Sequence, residues 1–178
     1  MPSDRVRMIL PGDTATTWDA IAPIVPQQAY LGGGTAIAVH LGHRVSRDLD
    51  FFFHHHGIDL DDLASRLSAV GPFAVTERSP GTLNGLFSST KVQFLHADEG
   101  RPQHLLEQPQ ETDGLRIAGL SDLIAMKLKI ARMALAAGAR YGLALAGGYA
   151  VAAHGMGNRP SGDVDLSPAG SAAASSPN

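Results

Sequence analysis

Two aspartates one residue apart, Asp48 and Asp50, stand beside an apolar run made of Leu49 and Phe51 to Phe53. In a strand, side chains at i and i+2 share a face, so the two carboxylates project together. Like charges held side by side in apolar surroundings repel each other and are costly to bury, and a divalent cation is the usual remedy. Hard oxygen donors in that pattern suit Mg²⁺ (or Mn²⁺), which takes one or two carboxylates together with substrate phosphates. The competing reading is a polar strand end in water, and the three phenylalanines argue against it. Just upstream, Gly32, Gly33 and Gly34 precede a short apolar stretch, Thr35 to Leu41, that reads as a helix. Glycines let the backbone approach a ligand closely, and a helix N-terminus turns free N–H groups toward an anion. Gly33, Gly34 and Thr35 are therefore candidates to hold nucleotide phosphates, Thr35 through its hydroxyl. Arg44 and Ser46 lie in the turn before the aspartates. Both are candidates for triphosphate contact, with Arg44 equally suited to pair with a carboxylate and order the loop.

The elements that must position these residues read in an α+β order. Thr14 to Ile24 is predicted helical and closed by Pro26, and strand, helix and strand follow around the glycines and aspartates. Leu60, Leu63, Leu67 and Val70 recur at helical spacing behind Asp59, a suitable N-cap, with Asp61 and Asp62 supporting the first turn. Phe73 to Arg78, Leu83 to Ser88 and Lys91 to His96 read as strands, with Pro80-Gly81 as a turn. Ser121 to about Ala137 is predicted helical with Ser121 as its cap. The result is a mixed sheet with helices packed mainly on one side.

Other polar residues have plainer readings. His40 falls on the short helix and suits a core or capping role. His54, His55 and His56 alternate in direction along a strand and cannot all reach one ion, so a solvated strand end is favoured over zinc. The candidate neighbouring strand Lys91 to Leu95 offers no third carboxylate but Gln93. An amide takes no proton from an attacking hydroxyl, which leaves Glu77 or Asp98 as the remaining candidates.

A formal charge of −3 excludes a generally basic coat for nucleic acid while leaving room for a local basic groove. The absence of cysteine excludes disulfides and thiolate metal sites. No apolar run approaches a membrane span, and the first residues lack the apolar centre of a signal peptide. A cytoplasmic protein with no membrane partner is expected.

The C-terminal third repeats the first motif. Gly147 and Gly148 match Gly33 and Gly34, His154 matches His40, Arg159 matches Arg44 and Ser161 matches Ser46. Asp163 and Asp165 match Asp48 and Asp50 with one extra residue in the turn. The copy stops almost at once in a Ser/Ala/Pro-rich tail of low complexity. The expected organisation is a core over residues 1–130, a partial repeat over 131–166 and a disordered tail over 167–178. Either the second motif is the opening of a truncated second core, or it packs as an added strand–helix–strand.

Gly-Gly-Thr, a short helix and His-Arg-x-Ser-x-Asp-Leu-Asp-Phe-Phe together resemble the AbiEii/AbiGii toxin family, within the nucleotidyltransferases of DNA polymerase β-like fold. The run Gly119 to Lys129 resembles that family's helix entering its C-terminal half, and the likeness covers roughly residues 25 to 130. It implies transfer of a nucleoside monophosphate from an NTP, with tRNA 3′ ends as acceptor in some members, and an antitoxin as partner. It also places Lys127 where the family's helix lysine would neutralise triphosphate; a surface lysine is the plainer reading. The family's Arg-x-x-x-(Arg/Lys)-Asp continuation is missing here, since no aspartate follows Lys129 until Asp163. The expected function is Mg-dependent nucleotide transfer to an RNA or protein hydroxyl in a toxin–antitoxin or phage-defence (abortive infection) system. The alternatives are a catalytically silent module that binds nucleotide or a partner, or a truncated fusion product. A histidine-based metal hydrolase ranks last.

Overall fold

The alternation along Leu49–Phe53 explains the architecture around it. Leu49, Phe51 and Phe53 are buried on one face of the strand, and half-buried Asp50 shares the other face with buried Phe52. The computed structural model describes residues 4–54, 57–97, 105–139, 143–146 and 165–168. These fall into two units, residues 1–124 and residues 125–178.

The first unit opens with helices α1 (Asp4–Ile9) and α2 (Gly12–Ile21). Then come strand β1 (Tyr30–Leu31), helix α3 (Gly33–Leu41) and strand β2 (Leu49–Phe53). Helix α4 (Leu60–Val70) leads to strands β3 (Phe73–Ser79), β4 (Thr82–Phe87) and β5 (Thr90–His96). Strands β6 (Gln110–Thr112) and β7 (Leu115–Ile117) precede helix α5 (Leu120–Ala139), whose first residues belong to this unit. The seven strands form one mixed sheet in the order β3-β4-β5-β2-β1-β7-β6. Strand β2 lies at its middle, antiparallel to β1 and parallel to β5.

The core sits behind β2. Phe51 and Phe94 stack at a centroid distance of 4.9 Å, and Val92 and Leu83 are fully buried on the neighbouring strands. Trp18 and Ile21 of α2 and Leu63 and Leu67 of α4 complete the apolar set. Trp18 Nε1 donates to the Asp113 carbonyl at 3.1 Å, tying α2 to the turn between β6 and β7. Asp59 caps α4 as expected, accepting from the Asp61 and Asp62 amides at 2.8 and 3.1 Å.

Several boundaries differ from the sequence reading. Helix α2 runs two residues earlier and ends at Ile21, with α1 before it. Ser121 lies inside α5 rather than capping it; its hydroxyl donates to Glu107. The neighbouring Asp122 is buried and accepts the amides of Leu106 and Glu107, which holds the segment before β6 against the start of the helix.

The second unit contains the rest of α5 and a separate antiparallel pair, β8 (Leu143–Ala146) and β9 (Asp165–Pro168). Their register reproduces that of the first motif. Leu145 pairs with Leu166 as Leu31 pairs with Phe51, and Ala144 with Ser167 as Tyr30 with Phe52. Repeated residues have produced the same strand pairing twice.

Candidate nucleotide and metal site

The site is built where β1 turns into α3 and where the chain re-enters the sheet as β2. The Gly32 amide donates to the Asp50 carbonyl at 2.8 Å, closing the strand pair beneath the glycine turn. Intrahelical bonding in α3 begins with the Ala36 amide and the Gly32 carbonyl, at 3.2 Å. The amides of Gly33, Gly34 and Thr35 precede it and form the helix's N-terminal donor group.

Each glycine of the turn has a close neighbour. The Phe52 ring lies over Gly32, where a Cβ would come within 2.5 Å of it. Gly33 adopts φ +62°, and a Cβ there would overlap Asp50 Oδ2 and lie 3.2 Å from its Cγ. A Cβ on Gly34 would overlap the Arg44 guanidinium. The side chains of Asp50 and Arg44 therefore both lie against the opening of α3, an acid and a base on adjacent glycines.

Hydroxyl groups lock the turn. Thr35 Oγ1 donates to the Asp48 carbonyl, so the Ser46 hydroxyl, 2.6 Å away, donates to Thr35. Both are buried, and the Ser46 amide donates to the Ile9 carbonyl at 2.8 Å. With its proton committed to Asp48, Thr35 holds the aspartate-bearing turn against α3. His40, at the other end of that helix, meets the Ala118 carbonyl at 2.8 Å and fits its expected packing role.

Asp48 is exposed and immediately precedes β2, one residue short of the expected strand placement; Asp50 lies within it. Burial raises the Asp50 carboxyl above the ordinary aspartate range, the Asp48 charge raises it further, and Lys91 opposes both. Two hard oxygen donors side by side, one of them Asp50 with its charge disfavoured by burial and by its neighbour, are the donor set a Mg²⁺ or Mn²⁺ ion satisfies, so these residues fit such an ion. Gln93 pairs with Asp50 on the parallel neighbour β5. Beyond it the row continues through Asn84, whose Nδ2 donates to Glu77 Oε2 at 2.7 Å. Among the described residues, no group of three or more His, Asp or Glu is placed to share a metal.

Gly33, Gly34, Thr35, Arg44, Ser46, Asp48 and Asp50 thus converge in the first unit. Lys127 stands on α5 in the second unit. Asp165 opens β9, while Gly147, Gly148 and Asp163 lie outside the described residues, as do Asp98, His55 and His56. His54 meets the Tyr30 hydroxyl at 2.9 Å and stacks on its ring. Sequence reasoning did not single out Lys91, although its i−2 spacing from Gln93 was a usable signal, nor the Asn84–Glu77 pair.

The profile of the family described as nucleotidyl transferase AbiEii toxin, type IV TA system, matches residues 19–140. An uncharacterized protein of Aquifex aeolicus (strain VF5), aq_aa25, is 35% identical over 101 residues, which are 55% of this chain and 47% of that protein. The chain thus spans about half the length of this curated relative. The crystal structure of JHP933 from Helicobacter pylori matches with a TM-score of 0.46 and 19% identity, over 72% of this chain and 58% of that one. Among the described residues, no helix is long and apolar enough to cross a membrane.

Proposed function

This chain belongs to the AbiEii nucleotidyl transferase toxin family of type IV toxin–antitoxin systems, with the α+β nucleotidyltransferase fold of that family, and from that premise we propose that it transfers a nucleoside monophosphate from an NTP to a hydroxyl. The acceptor is an RNA 3′ end, such as that of tRNA, or a protein side chain. The observation that carries the reading is the Asp50 carboxylate resting on Gly33, beside Asp48, at the N-terminus of α3.

In this reading the amides of Gly33, Gly34 and Thr35 receive the β- and γ-phosphates, and Arg44, already over Gly34, adds a charged fork to them. Thr35 and Ser46 hold the turn so that Asp48 and Asp50 face the α-phosphate. Asp48 and Asp50 are the residues that would hold Mg²⁺ or Mn²⁺, which when bound draws charge from the α-phosphate and the leaving pyrophosphate. The acceptor oxygen bonds to the α-phosphorus as the bond to the β-phosphate oxygen breaks. That electron pair leaves with pyrophosphate, and the acceptor's proton passes to water, since Gln93 cannot take it. Lys127 is a further candidate for triphosphate contact. Residues 1–130 form the core in this proposal, 131–166 a partial repeat and 167–178 a tail, and the protein acts in the cytoplasm against an antitoxin partner.

Purified protein incubated with Mg²⁺, each α-³²P-labelled NTP and total tRNA is expected to label RNA or itself. The Asp48→Ala/Asp50→Ala variant is expected to label neither. Gln93 opposite Asp50 favours one rival, a silent module that binds nucleotide or a partner. Measurable NTP affinity without pyrophosphate release would establish that rival.

A further inference from the structure

The two aspartates leave one side of the site to β5. Leu49 pairs with Val92 and Asp50 with Gln93, so Lys91 and Gln93 share the face of the sheet that carries Asp50. One step before the Leu49–Val92 pair stand Asp48 on one chain segment and exposed Lys91 on the other. An ammonium thus flanks the carboxylate pair, and Gln93, the register partner of Asp50, offers an amide there rather than a further carboxylate. The next acid along the row, Glu77, is three strands from β2, about 14 Å at the usual strand spacing, and is bonded to Asn84.

Resting on the nucleotide-transfer reading, we infer that the site takes a single divalent cation and that Lys91 supplies the second positive charge to the reacting triphosphate. Asp48 and Asp50 would hold the ion, which would supply one positive charge, and the Lys91 ammonium meets the charge that builds on the α-phosphate oxygens as the acceptor bond forms and the pyrophosphate bond breaks. Gln93, neutral and adjacent, adds no further negative charge beside that ammonium.

Titration of the full chain with Mn²⁺ in the presence of α,β-methylene analogues of the four NTPs, followed by the EPR signal of free Mn²⁺, tests the inference. One Mn²⁺ per chain is expected, rising to two in Gln93→Glu. Lys91→Ala is expected to keep one Mn²⁺ and its melting temperature. Its turnover should fall about 10²-fold with KM moved less than about threefold, the pattern of a charge felt mainly in the transition state. Lys91→Arg should recover part of the loss. Two Mn²⁺ in the unmodified protein, or full turnover in Lys91→Ala, overturns the inference while leaving nucleotide transfer standing. Absence of both Mn²⁺ and nucleotide binding overturns the function itself, a failure of a different kind.

Discussion

Burial raises the Asp50 carboxyl above the ordinary aspartate range, with the Asp48 charge adding to the rise and Lys91 working against it. A carboxyl raised on folding holds its proton more readily in the native chain than in the unfolded one. Its contribution to stability is therefore most favourable below the ordinary aspartate value and declines as pH rises through the raised one. Asp50→Asn removes that penalty while keeping the shape. The variant is expected to melt higher than the parent at pH 7, by about 2–4 °C for each ~1 kcal/mol relieved, with the gap narrowing at pH 4. Mn²⁺ should raise the melting temperature of the parent alone. Thermal melts at both pH values with and without Mn²⁺ decide this; a variant no more stable than its parent at pH 7 contradicts it. The glycine beneath Asp50 gives a second comparison at this scale. Gly33 and Gly42 have φ of +62° and +61°, but a Cβ on Gly42 meets nothing within 4 Å, whereas one on Gly33 meets Asp50. Gly42→Ala should cost only the left-handed strain, roughly 1–2 kcal/mol. Gly33→Ala should cost about 1–3 kcal/mol more through overpacking and weaken Mn²⁺ binding. Equal losses in denaturant titrations would mean Asp50 does not sit where the structure places it.

Two elements meet at Thr35, and the lock between them is what makes a short helix and a loop into a site. Its buried hydroxyl joins α3 to the Asp48 carbonyl and receives the Ser46 hydroxyl. Thr35→Val keeps the volume but strands both partners, so a loss of about 1–3 kcal/mol is expected in chemical denaturation, the usual cost of an unsatisfied buried polar group. Mn²⁺ affinity should fall with it, because Asp48 is no longer held; unchanged affinity would show that the turn is fixed by other contacts. The glycine turn, the aspartate pair and the Asp59 cap were legible because each depends on a local pattern a few residues long. Thr35's place in the lock was not, since its hydroxyl partners lie 11 and 13 residues away and only the fold brings them near. The same limit hid α1, β6 and β7. The two strands have three residues each, too few for a period to show, and are held by pairing with each other and with Leu31. Lys91 escaped notice for a related reason, since its meaning depends on β5 lying parallel to β2 in one register.

Across the whole molecule, all seven strands of the first sheet come from residues between Tyr30 and Ile117, and β8 with β9 forms a sheet of its own. All seven converging site residues lie in the first unit, while the family match extends to residue 140. The repeated motif reproduces the strand register of the first copy, with Leu145 opposite Leu166 as Leu31 is opposite Phe51. Among the described residues, each strand of the first sheet pairs with a strand of that same sheet. A chain ended after Ala139 is therefore expected to melt cooperatively within a few degrees of the full protein and to bind one Mn²⁺ through Asp50. Because α5 remains entire in that chain, Lys127→Ala made within it separates the helix lysine from everything downstream. If Lys127 neutralises triphosphate, the variant weakens the α,β-methylene nucleotide about tenfold, the size of one charge-assisted contact, with Mn²⁺ binding unchanged. If the shortened chain loses Mn²⁺ binding while still melting cooperatively, the second unit contributes to the site and the core cannot end near residue 130.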